Sequence, residues 1–166
     1  MDEVMFSKRI GGSAVVARVL QRSLHGWFLA SRALTLGVRA AVIDPEGRVC
    51  LIRHTYAPGW QLPGGGVEIG EDALEALARE VREETEIEIG GIPKLHGVFF
   101  NGHVSRRDHV LVFVVREFSA GRAKAADREI AECGFFALDE LPAETTRGTR
   151  DRLAEIAQGR VPGAVW

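Results

Sequence analysis

Cysteine is scarce in this chain, with two in 166 residues, Cys50 and Cys133, and no CxxC spacing between them. That argues against a structural zinc site and against a disulfide framework, and leaves packed, reduced thiols as the expectation. An excess of charge of either sign is also missing, the net charge being −2. No global field therefore draws the chain to nucleic acid. No stretch approaches the roughly 18 uninterrupted apolar residues of a membrane span, and Arg18 and Arg22 interrupt the apolar run that a secretory signal would need. There is no internal repeat and no low-complexity tract. What is present, 46% hydrophobic and 27% charged residues, suits one globular domain with a substantial core. A cytoplasmic location is the expectation.

Acid is concentrated in one place. Residues 65–87 read GGVEIGEDALEALAREVREETEI, and Glu80, Glu83, Glu84 and Glu86 crowd its end. The first three stand at i, i+3 and i+4, so on a helix they leave from one flank and can converge on a hard cation. All-oxygen ligation suits Mg²⁺ or Mn²⁺. A solvated helix face is the plainer alternative. Against it, Glu80 and Glu84 repel at i and i+4, and no Lys or Arg follows any of the three by four residues. On a helical wheel Leu77, Ala78 and Val81 form an apolar stripe, with the three glutamates at its edge. Arg79, Arg82 and Glu75 fall on the wet side, and Ala73 and Ala76 leave room on the carboxylate flank. Asp72 with Glu75 makes a capping box at the helix start, and Gly64, Gly65, Gly66 and Gly70 just ahead allow a tight loop open to a ligand.

These residues resemble the signature of the Nudix hydrolase family: Gly, five residues, Glu, seven residues, then Arg-Glu, an aliphatic, any residue, Glu-Glu, any residue, Gly and an aliphatic. Gly65, Glu71, Arg79, Glu80, Val81, Glu83, Glu84 and Ile87 stand in register, and the final Gly is replaced by Glu86. A left-handed helix end costs a non-glycine residue about 1 kcal/mol, so the helix is expected to run on towards Gly90 and Gly91. The lead-in 59–64 and the segment 135–142 also resemble the family, and the likeness covers 36 to about 158.

Around this segment, Val38–Asp44 and Arg48–His54 flank Pro45, Glu46 and Gly47 and read as a hairpin. Leu95–Phe100, His109–Phe118 and Gly134–Leu138 read as strands. Thr146–Gln158 reads as a closing helix with Leu153 and Ile156 inward and Gly159 ending it. The expected class is α/β, and the resemblance implies an α/β/α sandwich with a mixed sheet. The expected organisation is an N-terminal helical extension over 1–35, the catalytic domain over 36–158 and a C-terminal tail over 159–166. In the extension, Val16, Leu20, Leu24 and Trp27 or Phe28 recur at helical spacing while Arg18 and Arg22 face elsewhere. Residues 1–34 carry Lys8, Arg9, Arg18, Arg22 and Arg32 against Asp2 and Glu3, a local net of +3. Intramolecular packing is the first reading, then a homodimer contact, then a membrane-surface helix.

The resemblance implies hydrolysis of a nucleoside diphosphate linked to another group, with Mg²⁺ or Mn²⁺ as cofactor. It makes Glu80, Glu83 and Glu84 metal ligands, adds the Gly65 carbonyl, and places Arg79 and Glu71 as a bracing pair. Glu83 is the first choice for general base, with Glu129 as a further acidic ligand or base and Asp108 a weaker candidate. Arg53 and Trp60 are candidates for a phosphate and a base, Trp60 having core packing as its alternative. In the loop 101–109, Arg106 with Arg107, His103 and His109 could hold phosphates or form an exposed turn. Subfamily markers after the signature are missing: the only proline between 88 and 110 is Pro93, and the only tyrosine, Tyr56, lies upstream. The expected partner is a small nucleotide-type molecule, with capped RNA the only nucleic acid in view and no membrane. A catalytically silent ligand-binding or regulatory module is the alternative, against which the retention of three mutually repelling acids counts.

Overall fold

The computed structural model describes residues 20, 21, 23, 24, 26–28, 31–121 and 124–166. The chain divides into two units, Met1–Leu34 and Thr35–Trp166. In the first, the described residues from Leu20 to Phe28 and Ser31 are helical. There the Trp27 and Phe28 rings meet edge-on at 5.2 Å and the Arg32 guanidinium sits 4.6 Å from the Phe28 ring centre. Asp2, Glu3, Lys8, Arg9, Val16, Arg18 and Arg22, which figure in the sequence reading of this segment, lie outside the described residues.

The second unit runs β1 (Thr35–Val42), β2 (Val49–His54), β3 (Trp60–Gln61), α1 (Ala73–Thr85), β4 (Ile87–Ile89), β5 (Lys94–Phe100), β6 (Asp108–Val115), β7 (Phe118–Ala120), β8 (Ile130–Phe136) and α2 (Arg147–Gln158). Strands group as β1-β6-β5, β3-β2-β8 and β4-β7. The first group is mixed, since β1 runs parallel to β6 from Thr35↔Asp108 to Val42↔Val115 while β5 is antiparallel to β6. Alternation along β1 explains the layering: Val38, Ala40 and Val42 join Ala76, Leu77 and Val81 of α1 in one core. Ala41 and Ile43 instead join Leu153 of α2 in the other. Both faces of the strand are thus buried, as an α/β/α sandwich requires.

The expected hairpin is a correction. Its turn is real, with Asp44 N–H on the Arg48 carbonyl and Gly47 at φ 81°, but only the Ile43↔Val49 bridge joins the two strands. Beyond the turn β1 goes to β6 and β2 to β8, partners distant in sequence. Likewise the long strand expected over 109–118 breaks after Val115, and Phe118 starts β7 against β4. On α1, Ala78 is exposed and Ala76 is fully buried, so the apolar stripe is centred on Ala76, Leu77 and Val81. The two thiols are free, as expected, and lie 3.8 Å apart between β2 and β8.

The end of α1 departs from expectation too. The helix stops at Thr85, and Glu86 takes the left-handed conformation at φ 59° and ψ 23° with its N–H on the Arg82 carbonyl. Pairing overrides the local cost: Ile87 is 3% exposed in the core, and the Glu86 carbonyl accepts from Gly121 N–H at 3.1 Å. At the other terminus the last residues fold back, Phe100 N–H donating to Ala164 and Trp166 N–H to Phe100, with the Trp166 ring edge-on to Phe99. No helix of the described residues is long and apolar enough to cross a membrane.

Because Glu86 bears the strain of a position suited to glycine, Glu86→Gly is expected to stabilise the fold by about 1 kcal/mol. Urea denaturation should show a higher midpoint with an unchanged slope. A lower midpoint would mean that the Glu86 side chain contributes more than its backbone costs.

Candidate active site

The site is built where the loop between β3 and α1 passes β1. Val38 N–H donates to the Gly65 carbonyl, Ala40 N–H to Pro63 and Val67 N–H to Leu36, so the loop lies along β1 like a short extra strand. Gly64 has φ 138°, and a side chain there would run into the Val38 carbonyl. A Cβ on Gly65 would overlap the Glu80 carboxylate. These two glycines let loop backbone and helix carboxylates occupy the same small space.

Helix α1 then delivers the acids. Asp72 caps it, accepting from Leu74 and Glu75 N–H while Glu75 accepts from Asp72 N–H, the capping box expected. Two turns on, Arg79 folds back over the loop, contrary to its expected place on the wet face. Its Nε and Nη2 donate to the two Glu71 oxygens at 2.8 and 3.0 Å, Nη1 to Glu80 at 2.8 Å and Nη2 to the Gly66 carbonyl at 3.1 Å. That fork holds the Glu71 carboxyl down at about 2 and raises Arg79 further. Glu71 and Arg79 thus meet as expected, and they tie loop to helix.

Glu84 is the buried acid. Its Oε2 accepts from Gly64 N–H at 2.6 Å, and its Oε1 lies 3.6 Å from His54 Nε2. Burial pushes its carboxyl up to about 8, against the pull of the Gly64 N–H and Arg39, with the charges of Glu80 and Glu129 raising it further. His54 is pushed the other way, first by burial and then by Arg39. Burial thus disfavours charge on both members of the pair, and at 3.6 Å they make no hydrogen bond to each other. Arg39 itself donates to the Leu62 and Gly64 carbonyls, and burial lowers its pKa against the opposing charges of Glu84 and Glu80.

The remaining predicted residues divide. Glu129 is brought to Glu84: one ligand atom each from His54, Glu84 and Glu129 lie within 4.8 Å of one another. Glu83 is more than half exposed, its carboxylate 3.6 Å from Arg79 Nη1 and its carbonyl accepting from Lys124. Trp60 is not with them; it is buried, edge-on to Phe136 at 4.9 Å, so its ring is spent on core packing. Arg53 is paired with Glu132 on β8. Arg106 is exposed in the turn 101–108, which Asn101 and Thr35 close by donating to Asp108 at 2.8 and 2.7 Å. Sequence reasoning missed Arg39, His54 and Tyr56. Only the β2–β8 pairing, with Thr55 N–H on the Glu129 carbonyl, reveals the last two.

Comparison with known proteins fits this geometry. The NUDIX domain model matches residues 33–156. The chain belongs to the NUDIX family. An ADP-ribose pyrophosphatase of Methanocaldococcus jannaschii is 35% identical over 105 residues, 61% of this chain and 61% of that protein. A MutT-like protein of Streptomyces ambofaciens is 29% identical, covering 77% of this chain and 80% of that one. Among solved structures, the MutT NUDIX hydrolase of Burkholderia pseudomallei superposes with a TM-score of 0.64 at 30% identity, covering 74% of this chain and 97% of that one. The chain thus spans about three fifths of the first of these relatives. The NUDIX fold accounts for both the layered architecture and the loop-and-helix geometry above.

The titration of Glu84 has a measurable consequence. A carboxyl whose folded pKa is raised stabilises the fold below its unfolded value, near 4.5, and loses that contribution as pH climbs through about 8. Metal-free protein should therefore lose stability between about pH 5 and 9, by at most about 5 kcal/mol from this group. Melting curves of wild type and Glu84→Gln across that range are the check, because their difference isolates Glu84 from His54, which pulls oppositely. Parallel curves would show that Glu84 ionises normally.

Proposed function

We propose that this chain hydrolyses the pyrophosphate bond of a nucleoside diphosphate linked to another group, using Mg²⁺ or Mn²⁺. The observation that carries the reading is the cradle at Gly65, where a Cβ would overlap the Glu80 carboxylate and the neighbouring Gly64 N–H already holds Glu84, so that the loop backbone lies against two helix acids in one small space. An all-oxygen set of that kind fits a hard divalent cation. Glu80, Glu83, Glu84, Glu129 and the Gly65 carbonyl would hold it. When bound, the ion would supply charge neutralisation at the phosphoryl oxygens and lower the pKa of water.

The chain's own residues do the rest. Arg79 and Glu71 lock loop to helix, so the carbonyl and the carboxylates keep their spacing through turnover. Glu83, exposed and not consumed by a close hydrogen bond, is the group free to take the proton from an attacking water. Water adds to one phosphorus, the bridging P–O bond breaks, and the other phosphate leaves with the bridging oxygen. Glu129 is the second candidate for that proton. Its carboxylate accepts from Tyr56 at 3.3 Å, which leaves it less free than Glu83. Arg106, in the exposed turn, is proposed to meet outer phosphates. Arg53, paired with Glu132, and Trp60, packed in the core, are less available for substrate.

The relatives' names include ADP-ribose pyrophosphatase, yet the proline that marks that subfamily is missing after the signature. ADP-ribose therefore heads a panel with nucleoside triphosphates, dinucleoside polyphosphates, nucleotide sugars and capped RNA. At least one should release phosphate or nucleotide in the presence of Mg²⁺ or Mn²⁺, and Glu83→Gln should lower kcat about 10²- to 10⁴-fold with KM little changed. No turnover on any member with either ion would leave a silent ligand-binding module as the reading. Full activity in Glu83→Gln would move the base to Glu129.

A further inference from the structure

We propose that His54 is itself a ligand of the bound cation, so that one imidazole nitrogen joins Glu84 and Glu129 and tilts the site towards Mn²⁺ over Mg²⁺. This rests on the metal-dependent reading above and adds a residue of this chain to it.

Geometry is the first support. The three ligand atoms lie within 4.8 Å of one another. An octahedron with bonds of about 2.1 Å has edges of about 3.0 Å and diagonals of about 4.2 Å, so small side-chain movements would close the site on one ion. The second support is independent of the acids. The His54 side chain is 5% exposed, yet its Nδ1 has no hydrogen-bond partner, and its Nε2 is 3.6 Å from the Glu84 oxygen, too far for a bond of its own. Buried ring nitrogens are ordinarily paired, and Nε2, the nitrogen turned to Glu84, is the one that a cation between these residues would complete.

The ring is also held in place. Tyr56 stacks on it with centroids 4.8 Å apart and planes inclined by 27°. The Tyr56 hydroxyl donates to Glu129 at 3.3 Å, while Thr55 fastens the same loop through its N–H on the Glu129 carbonyl at 2.9 Å and its hydroxyl on the Arg128 carbonyl at 2.7 Å. Histidine and acid are therefore carried on two segments that the β2–β8 pairing clamps together. Imidazole nitrogen is a poor ligand for Mg²⁺, which keeps to oxygen and water, whereas first-row transition ions accept it, Mn²⁺ the most weakly of the series yet more readily than Mg²⁺. A nitrogen at this position changes which ion the site prefers.

Pulsed electron paramagnetic resonance on the Mn²⁺-loaded full chain is the test. Wild type should show ¹⁴N modulation from a coordinated imidazole, and His54→Gln should lose it. Titration of free Mn²⁺ should show binding weakened about 10-fold or more in the variant, with Mg²⁺ binding little changed. Mn²⁺ bound without ¹⁴N coupling in wild type, or with coupling undiminished in His54→Gln, would overturn the assignment while leaving the metal-dependent reading intact. Failure of wild type to bind Mn²⁺ or Mg²⁺ at all would overturn both. The wild-type spectrum decides the matter even if His54→Gln folds poorly.

Discussion

The site depends on how closely the backbone at Gly64 and Gly65 can approach its neighbours. Any side chain at 64 would strike the Val38 carbonyl, and any at 65 would strike Glu80. With hydrogens in both places, the loop pairs with β1 through the Gly65 and Pro63 carbonyls and still presents the Gly64 N–H to Glu84. One short segment thus serves as a strand edge, a hydrogen-bond donor to a buried acid and, through the Gly66 carbonyl, an acceptor for Arg79 of the helix. The α1 register is what makes this useful, because it brings Glu80 and Glu84 up to the loop while Arg79 folds back onto it from the same turn. The core formed by Ala76, Leu77 and Val81 sets that register.

Two arginines keep so many acids together. Arg79 takes Glu71 and Glu80 in one guanidinium and is tied down at the Gly66 carbonyl. Arg39, reaching from β1, binds the Leu62 and Gly64 carbonyls and sets its charge against Glu84 and Glu80. Their roles differ. Arg79 is a planar fork that fixes distance between loop and helix, whereas Arg39 mainly supplies positive potential beneath the loop. Lysine at 79 would keep the charge and lose the geometry.

Much of this was legible because it is local. The capping box at Asp72 and Glu75, the i, i+3, i+4 carboxylates and the closing helix with its Gly159 stop follow from spacing along one element, and the Glu71–Arg79 pair from the resemblance to the family signature. What was illegible depends on pairing between distant strands. The turn at Pro45–Gly47 signals a hairpin, yet β1 finds its partner more than sixty residues later in β6, and nothing in either segment names the other. The same limit hid His54, which has no motif around it and gains meaning only when β8 brings Glu129 alongside. Glu86 shows local preference losing outright. A glycine-like backbone is imposed on a glutamate because Ile87 must enter the core and β4 must meet β7.

Burial and the neighbouring acids together favour a proton on Glu84 while the site holds no cation. Burial raises the Glu84 carboxyl to about 8 and the charges of Glu80 and Glu129 reinforce that, so it holds its proton to higher pH than a more exposed carboxyl would. Glu80 leans on Arg79 instead. A divalent ion entering among Glu84, Glu129 and His54 would have to displace that proton, since a carboxylate ligand must be ionised. Metal affinity would then rise with pH by the same group whose protonation favours the empty fold. Binding and stability would thereby be coupled through one carboxyl on α1, that of Glu84.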